Sequence, residues 1–190
     1  MIENFCRGLH GWHGFNRVTR AIRGLSLVLL AFNLPLLAKC PISDGATLVV
    51  RAPFGDLLVD TTSRDASVDV QIDNNVIQVQ EVCGKGSVEY TGNASDQMRG
   101  TITWRIVAPK GIDLDLVTLA GNINVGDVDG DVILRTSGGS VTAGQIKGKA
   151  AIITQGGFIK SGNVGGNAEL RSQGGTLEVD FVQHAGKNHP

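Results

Sequence analysis

The sequence predicts an all-β protein: a right-handed parallel β-solenoid with 18-residue coils, preceded by an N-terminal signal or anchor segment. Three observations carry this expectation. From Thr118 the chain repeats every 18 residues with no insertion or deletion across three full units. Within each unit, short runs alternate apolar and polar residues, the period of a strand with one buried face. Glycine makes up 26 of the 190 residues and recurs at fixed places in the units; this is about double ordinary usage.

Composition removes several alternatives. Charged residues are 18% of the chain and Val, Ile and Leu are plentiful, so it is not a disordered, self-repelling polymer. The glycines follow no three-residue period, which excludes collagen. A formal net charge of −1 does not fit a basic nucleic-acid binder. At this length one domain is expected, over residues 39–190.

The elements follow in chain order. Residues 1–38 carry Arg7, Arg17, Arg20 and Arg23 against Glu3, a net +3, whereas residues 39–190 carry 13 basic and 17 acidic residues, a net −4. An apolar run from Leu25 to Ala38 (LSLVLLAFNLPLLA) follows the arginines. A membrane-spanning helix needs about 20 apolar residues, so this run fits the core of a signal peptide, with an uncleaved membrane anchor as the alternative. Either places the rest of the chain outside the cytoplasm: periplasmic, on the cell surface, secreted, or tethered to a membrane through the N-terminal segment.

Three cysteines are present: Cys6, Cys40 and Cys83. Cys6 would leave with a cleaved signal. Cys40 and Cys83 then form an even pair in an oxidising compartment, open to a disulfide, to two free thiols, or to lipidation of Cys40 after Leu37-Ala38-Lys39. Two Cys and late His residues lack the spacing of a zinc site.

Upstream of the repeats, alternation marks short candidate strands at Thr47–Val50 and Leu57–Val59. Two more flank an Asn74-Asn75 turn within Ser67–Val82, and others lie at Thr101–Val107 and Ile112–Leu116. Pro109-Lys110-Gly111 reads as a turn and Gly92–Gly100 as a polar loop. No helix-period segment follows residue 40.

The clear repeats run over 118–186. Thr118, Thr136, Thr154 and Ser172 align, as do Gly121, Gly139, Gly157 and Gly175. Ile123, Val141, Ile159 and Leu177 make one apolar column. Val128, Ile146, Val164 and Val182 make a second, and Leu134, Ile152 and Leu170 a third. Eighteen residues are too few for a βαβ unit, which needs about 30. One coil per unit, stacked by parallel pairing, superposes the columns into interior ladders, with a right-handed winding expected from crossover chirality. Thr/Ser at the head of each unit would form an external or corner hydroxyl ladder. The last unit loses its pattern at Asp180 and His184, and Asp180, Gln183, His184 and the tail to Pro190 read as a terminal cap.

The run from Ile102 to Val179 resembles the bacterial putative-adhesin domain family. The resemblance rests on TITWRIVAPKGIDLDLVTLAGNINV followed by repeated T-x-G-G-x-[IV] and G-x-[VI]-x-G steps. It implies an exported or membrane-anchored β-solenoid, and the family offers no catalytic residues to carry over.

Candidate chemistry is sparse. Asp127, Asp129 and Asp131 are spaced like the start of a calcium loop, but Val132 and Gly138 stand where an EF-hand needs Gly and an acid. They read better as outward polar residues, with Asp129 and Asp131 set to pair with Lys147 and Lys149 on the next coil. A nucleophilic triad could draw only on His184 and His189, late in the chain. Asp113 and Asp115 share one strand face about 7 Å apart, which is conceivable for glycoside hydrolysis. Gly138-Gly139 and Gly156-Gly157 lack the Lys-Ser/Thr and helix of a phosphate loop. Trp104 is in phase with the core residues Ile102 and Ile106; Phe158 is in an outward column, a lone exposed apolar residue or, as the alternative, a contact site. No catalytic, metal or cofactor-binding residue is therefore assigned. The sequence predicts an exported, non-catalytic, adhesin-like binding or structural module of the bacterial cell envelope, contacting an envelope protein or glycan and no nucleic acid. A polymer-forming scaffold like the bactofilins is the alternative, and a carbohydrate-active enzyme a more distant one.

Overall fold

The computed structural model describes residues 39–73, 77–84, 86–94 and 102–180. The signal or anchor segment at 1–38, the Asn74-Asn75 turn, most of the polar loop before Thr101 and the tail from Phe181 lie outside these. The described residues contain no helix, and so none long and apolar enough to cross a membrane.

The chain is all-β and mostly parallel. Its strands are β1 (Lys39–Pro41), β2 (Thr47–Ala52), β3 (Asp56–Ser63), β4 (Ser67–Ile72), β5 (Ile77–Cys83), β6 (Ser87–Ala94), β7 (Thr103–Pro109), β8 (Asp113–Thr118), β9 (Ile123–Val125), β10 (Val132–Thr136), β11 (Val141–Ala143), β12 (Ala150–Thr154), β13 (Ile159–Ser161), β14 (Ala168–Ser172) and β15 (Leu177–Val179). They form two open sheets, ordered β1-β4-β7-β3-β9-β11-β13-β15 and β14-β12-β10-β8-β2-β6-β5.

Over the repeats, pairing follows the sequence columns. Leu116, Leu134, Ile152 and Leu170 stand in register across β8, β10, β12 and β14. Ile123, Val141, Ile159 and Leu177 do so across β9, β11, β13 and β15. Isolated bridges join Val128 to Ile146 and Ile146 to Val164, a third ladder. The inward residues of both sheets share one core, and each fully buried aliphatic side chain in it contributes roughly 1.5–3 kcal/mol.

The conserved spacing of Thr and Gly within the units has a steric cause. Thr136 Oγ1 donates to the Gly121 carbonyl at 2.8 Å, Thr154 to Gly139 at 2.6 Å and Ser172 to Gly157 at 2.6 Å. The hydroxyl ladder is thus an inner corner, with Thr118, Thr136 and Thr154 buried. Beside it the backbones stack directly. A Cβ on Gly139 would lie 2.0 Å from the Gly121 carbonyl oxygen, and Gly121 itself has φ +147°, a region favouring glycine.

The order of stacking departs from chain order. β2 and β3 lie between β8–β9 on one side and β6–β7 on the other, so Leu57 pairs with both Ile123 and Trp104. The segment APFGDLLV (52–59) carries the same pattern as TLAGNINV (118–125), and its Gly55 carbonyl accepts the Thr118 hydroxyl at 3.1 Å.

At the far end the strands turn antiparallel: β1 with β4, β4 with β7, and β5 with β6. Only residues 84–86 separate β5 from β6, too few for the dozen or so that a parallel crossover needs. The two strands read from Ser67–Val82 are β4 and β5, which join different sheets instead of pairing with each other. β1 and β6 lie outside the candidate strands read from the sequence, although Ser87-Val88-Glu89-Tyr90 alternates and turns Val88 and Tyr90 inward; β6 also takes the first residues of the expected Gly92–Gly100 loop. Trp104 is fully buried and its Nε1 donates to the Phe54 carbonyl at 3.0 Å.

Candidate binding face

Strand alternation turns one residue in two away from the core, and on the β1–β15 sheet this creates a continuous outer row. Gln71, Arg105, Leu58, Asn124, Thr142, Lys160 and Glu178 stand side by side on β4, β7, β3, β9, β11, β13 and β15. At about 4.8 Å between strands, the row spans roughly 29 Å.

A second row holds Val107 and Asp60, which are register partners. Beyond Asp60 it meets Gly126, Gly144 and Gly162, which end β9, β11 and β13 without side chains. The surface is therefore hollowed into an open groove of about 440 Å³ lined by Leu58, Asp60, Arg105, Val107, Asn124, Gly126 and Thr142. That size falls within the range of small-ligand clefts.

The groove offers an aliphatic floor and a mixed polar wall. Val107 is 37% exposed. Arg105 is mostly exposed and lies 3.4 Å from Asp73. Asp60 is held below the ordinary carboxylate range by Thr62, through its hydroxyl and then its backbone N–H, which donates at 2.8 Å; it is an anion at neutral pH. Asn124 and Thr142 supply an amide and a hydroxyl. Together these give a fixed cation, a fixed anion and two neutral hydrogen-bonding groups on rigid strands.

The residues singled out in the sequence are distributed elsewhere. Asp113 Oδ1 accepts the Asp131 backbone N–H at 2.7 Å, and Asp131 Oδ1 accepts that of Lys149 at 2.8 Å. Asp127 Oδ1 likewise accepts from Gln145 at 2.8 Å. These carboxylates cap the backbone of the next repeat. Asp129 pairs with Lys147 at 2.9 Å and Asp131 with Lys149 at 3.9 Å, as the column alignment predicts. Asp115 is bound by both terminal nitrogens of Arg51 and approached by Arg135 at 3.9 Å. Phe158 is 47% exposed, outside the groove lining. His184 and His189 lie outside the described residues.

Cys40 and Cys83 form a disulfide, Cα–Cα 5.8 Å, which selects one of the three alternatives the sequence leaves open. It joins β1 to β5, the edge strands of the two sheets at this end. The Glu81 carboxylate touches the Cys40 sulfur and accepts the Tyr90 hydroxyl at 3.1 Å. Cys40, Glu81 and Cys83 are close enough to share a metal ion, but an oxidised sulfur pair presents no thiolate to ligate one.

The groove residues on β3 and β7 were not associated with Asn124 or Thr142 by sequence reasoning, because that association depends on where β2–β3 insert. The signal was present in the match between residues 52–59 and 118–125.

No family model and no curated protein matches the chain. Solved structures give distant likenesses. A putative cell adhesion protein from Clostridium sporogenes is 8% identical at TM-score 0.49, covering 77% of this chain and 97% of that one. A putative adhesin from Bacteroides fragilis is 14% identical at TM-score 0.33, covering 78% and 95%. A putative adhesin from Parabacteroides merdae is 10% identical at TM-score 0.26, covering 79% and 95%. These neighbours are described in the terms of the family that residues 102–179 resemble, at distant identity.

Proposed function

We propose that the chain is an exported, non-catalytic adhesin-like module of the bacterial cell envelope, built as a right-handed β-solenoid of 18-residue coils. It binds an envelope protein or glycan through the outer face of the β1–β15 sheet. Pairing of residues 18 apart, such as Asn122 with Ser140 and Asp127 with Gln145, supports the coil reading. The basic-then-apolar N-terminus and the Cys40–Cys83 disulfide support export to an oxidising compartment.

The observation that carries the binding reading is the groove itself: Arg105, Asp60, Asn124 and Thr142 around Leu58 and Val107. Hydrogen-bonding groups beside a small apolar floor match a sugar or an extended peptide, each of which offers both polar and apolar edges. The groups stand on paired strands, so little ordering entropy is lost on binding.

The test is binding of the protein to arrayed envelope glycans and peptides, followed by Arg105→Ala and Asn124→Ala. Each substitution should weaken capture about tenfold or more while leaving the melting temperature unchanged. Binding that survives both changes would place the ligand elsewhere. Glycan turnover lost in Asp113→Asn or Asp115→Asn would replace this reading with the carbohydrate-active one.

A further inference from the structure

Among the described residues, the core ladders are more deeply buried at the β1–β5 end of the stack than at the β14–β15 end. At the β1–β5 end Cys40, Val68, Val70 and Ile77 are all buried. At the opposite end Leu177 is 50% exposed, although its ladder mates Ile123, Val141 and Ile159 are fully buried. Leu170 and Val179 beside it are only partly buried. Among the described residues, β14 and β15 are the last strands of their sheets, each paired on one side only.

We propose that the β14–β15 end is an interface for a second copy of the chain, joined about a two-fold axis by antiparallel pairing of β14 with its counterpart. Backbone parity supports the geometry. Asn167 accepts from Ala150 and Gln173 donates to Thr154, so the odd-numbered residues of β14 bond to β12. The N–H and C=O groups of Ala168, Leu170 and Ser172 consequently face away from β12, as alternation along a parallel strand requires.

An antiparallel partner centred on Leu170 satisfies those groups and sets Leu170 against its own copy and Ala168 against Ser172. The same register sets Glu169 against Arg171 of the other copy, twice. The strand is thus complementary in charge to its own reverse, the requirement for an isologous contact. Glu169 and Arg171 are mostly exposed and lie 2.7 Å apart within the strand, so both are at hand for a partner. On the neighbouring sheet Glu178 is already neutralised by Lys160 at 2.8 Å, so its approach to its own copy is not a bare repulsion. An isologous contact uses the same β14 edge of both copies, so it closes as a dimer instead of growing into a filament.

The experiment is the mass of the full chain in solution by light scattering, with spectroscopic confirmation that each variant is folded. The unmodified chain should be a dimer. Glu169→Arg and Arg171→Glu should each weaken dimerisation about tenfold or more, since each sets two like-charged pairs across the two-fold. The double swap Glu169→Arg/Arg171→Glu should restore the dimer, because the reversed charges again complement one another. A monomeric unmodified chain overturns the proposal. A dimer indifferent to both single swaps, or single swaps that the double swap fails to rescue, also overturns it. None of these variants touches the groove, so loss of the dimer and loss of ligand capture are read separately.

Discussion

Single atoms decide what the glycine columns tolerate. A Cβ on Gly139 would meet the Gly121 carbonyl oxygen at 2.0 Å, whereas on Gly138 the nearest atom would be 3.6 Å away. Gly139→Ala should therefore destabilise the protein by about 3 kcal/mol or more, as backbone must move against backbone. Gly138→Ala should stay within about 1 kcal/mol. Urea denaturation of the two variants checks the contrast, and equal effects would contradict the stacking. Tyr90 sets a second test at this scale. Burial, then the charge of Glu81, raises its hydroxyl above the ordinary tyrosine value. The unfolded chain therefore loses that proton first as pH rises. The stabilisation is complete below about pH 10, the unfolded value, and is lost progressively above it. Melting temperature should fall on the alkaline side in the parent, and less steeply in Tyr90→Phe.

At the scale of elements, the disulfide ties together the edge strands of the two sheets, each otherwise paired with a single neighbour, β1 with β4 and β5 with β6. β1 is three residues long and β5 is exposed along most of its length. The bridge closes a loop of 43 residues, for which the chain-entropy account gives about 4 kcal/mol. Cys83→Ser, or reduction, should lower stability by about 2–5 kcal/mol, measured by denaturant titration, with loss of protection first in β1 and β5. At this end β5 is legible as the second strand of Ser67–Val82, whereas β1 and β6 are less so. β8 to β15 announce themselves because each must match its neighbour, which forces identical spacing. β1 and β6 have no copy to match, and the antiparallel pairing at their end follows from connection length, a property of the folded path. The groove was hidden for the same reason: Asn124 and Thr142 are visible as outward positions, but Arg105 and Asp60 become their neighbours only once β2–β3 are inserted. Asp113, by contrast, was readable as outward, yet its bond to the Asp131 N–H belongs to stacking that no single strand displays.

On the proposed coil reading, the stability of the stack at the scale of the molecule is close to a sum over repeats and their contacts. Deleting residues 136–153 brings Thr154 to the place of Thr136 and leaves every ladder in register. The shortened protein should remain folded and β-rich by circular dichroism, with a lower melting temperature. Deleting nine residues, 136–144, breaks the columns and should abolish cooperative unfolding. The same deletion of residues 47–63 should be more damaging than that of a repeat, since β2–β3 bridge the parallel stack to the antiparallel end.

The placement of β2 and β3 also bears on how the chain comes to be folded. A segment that precedes β6 through β9 in synthesis has its seat between them, so it is paired on both sides only once residues near 125 have emerged. Contacts between partners this remote along the chain are slow to form. The early part therefore completes its pairing only as the later part arrives, so the order of assembly is set by the topology and not by the order of the chain.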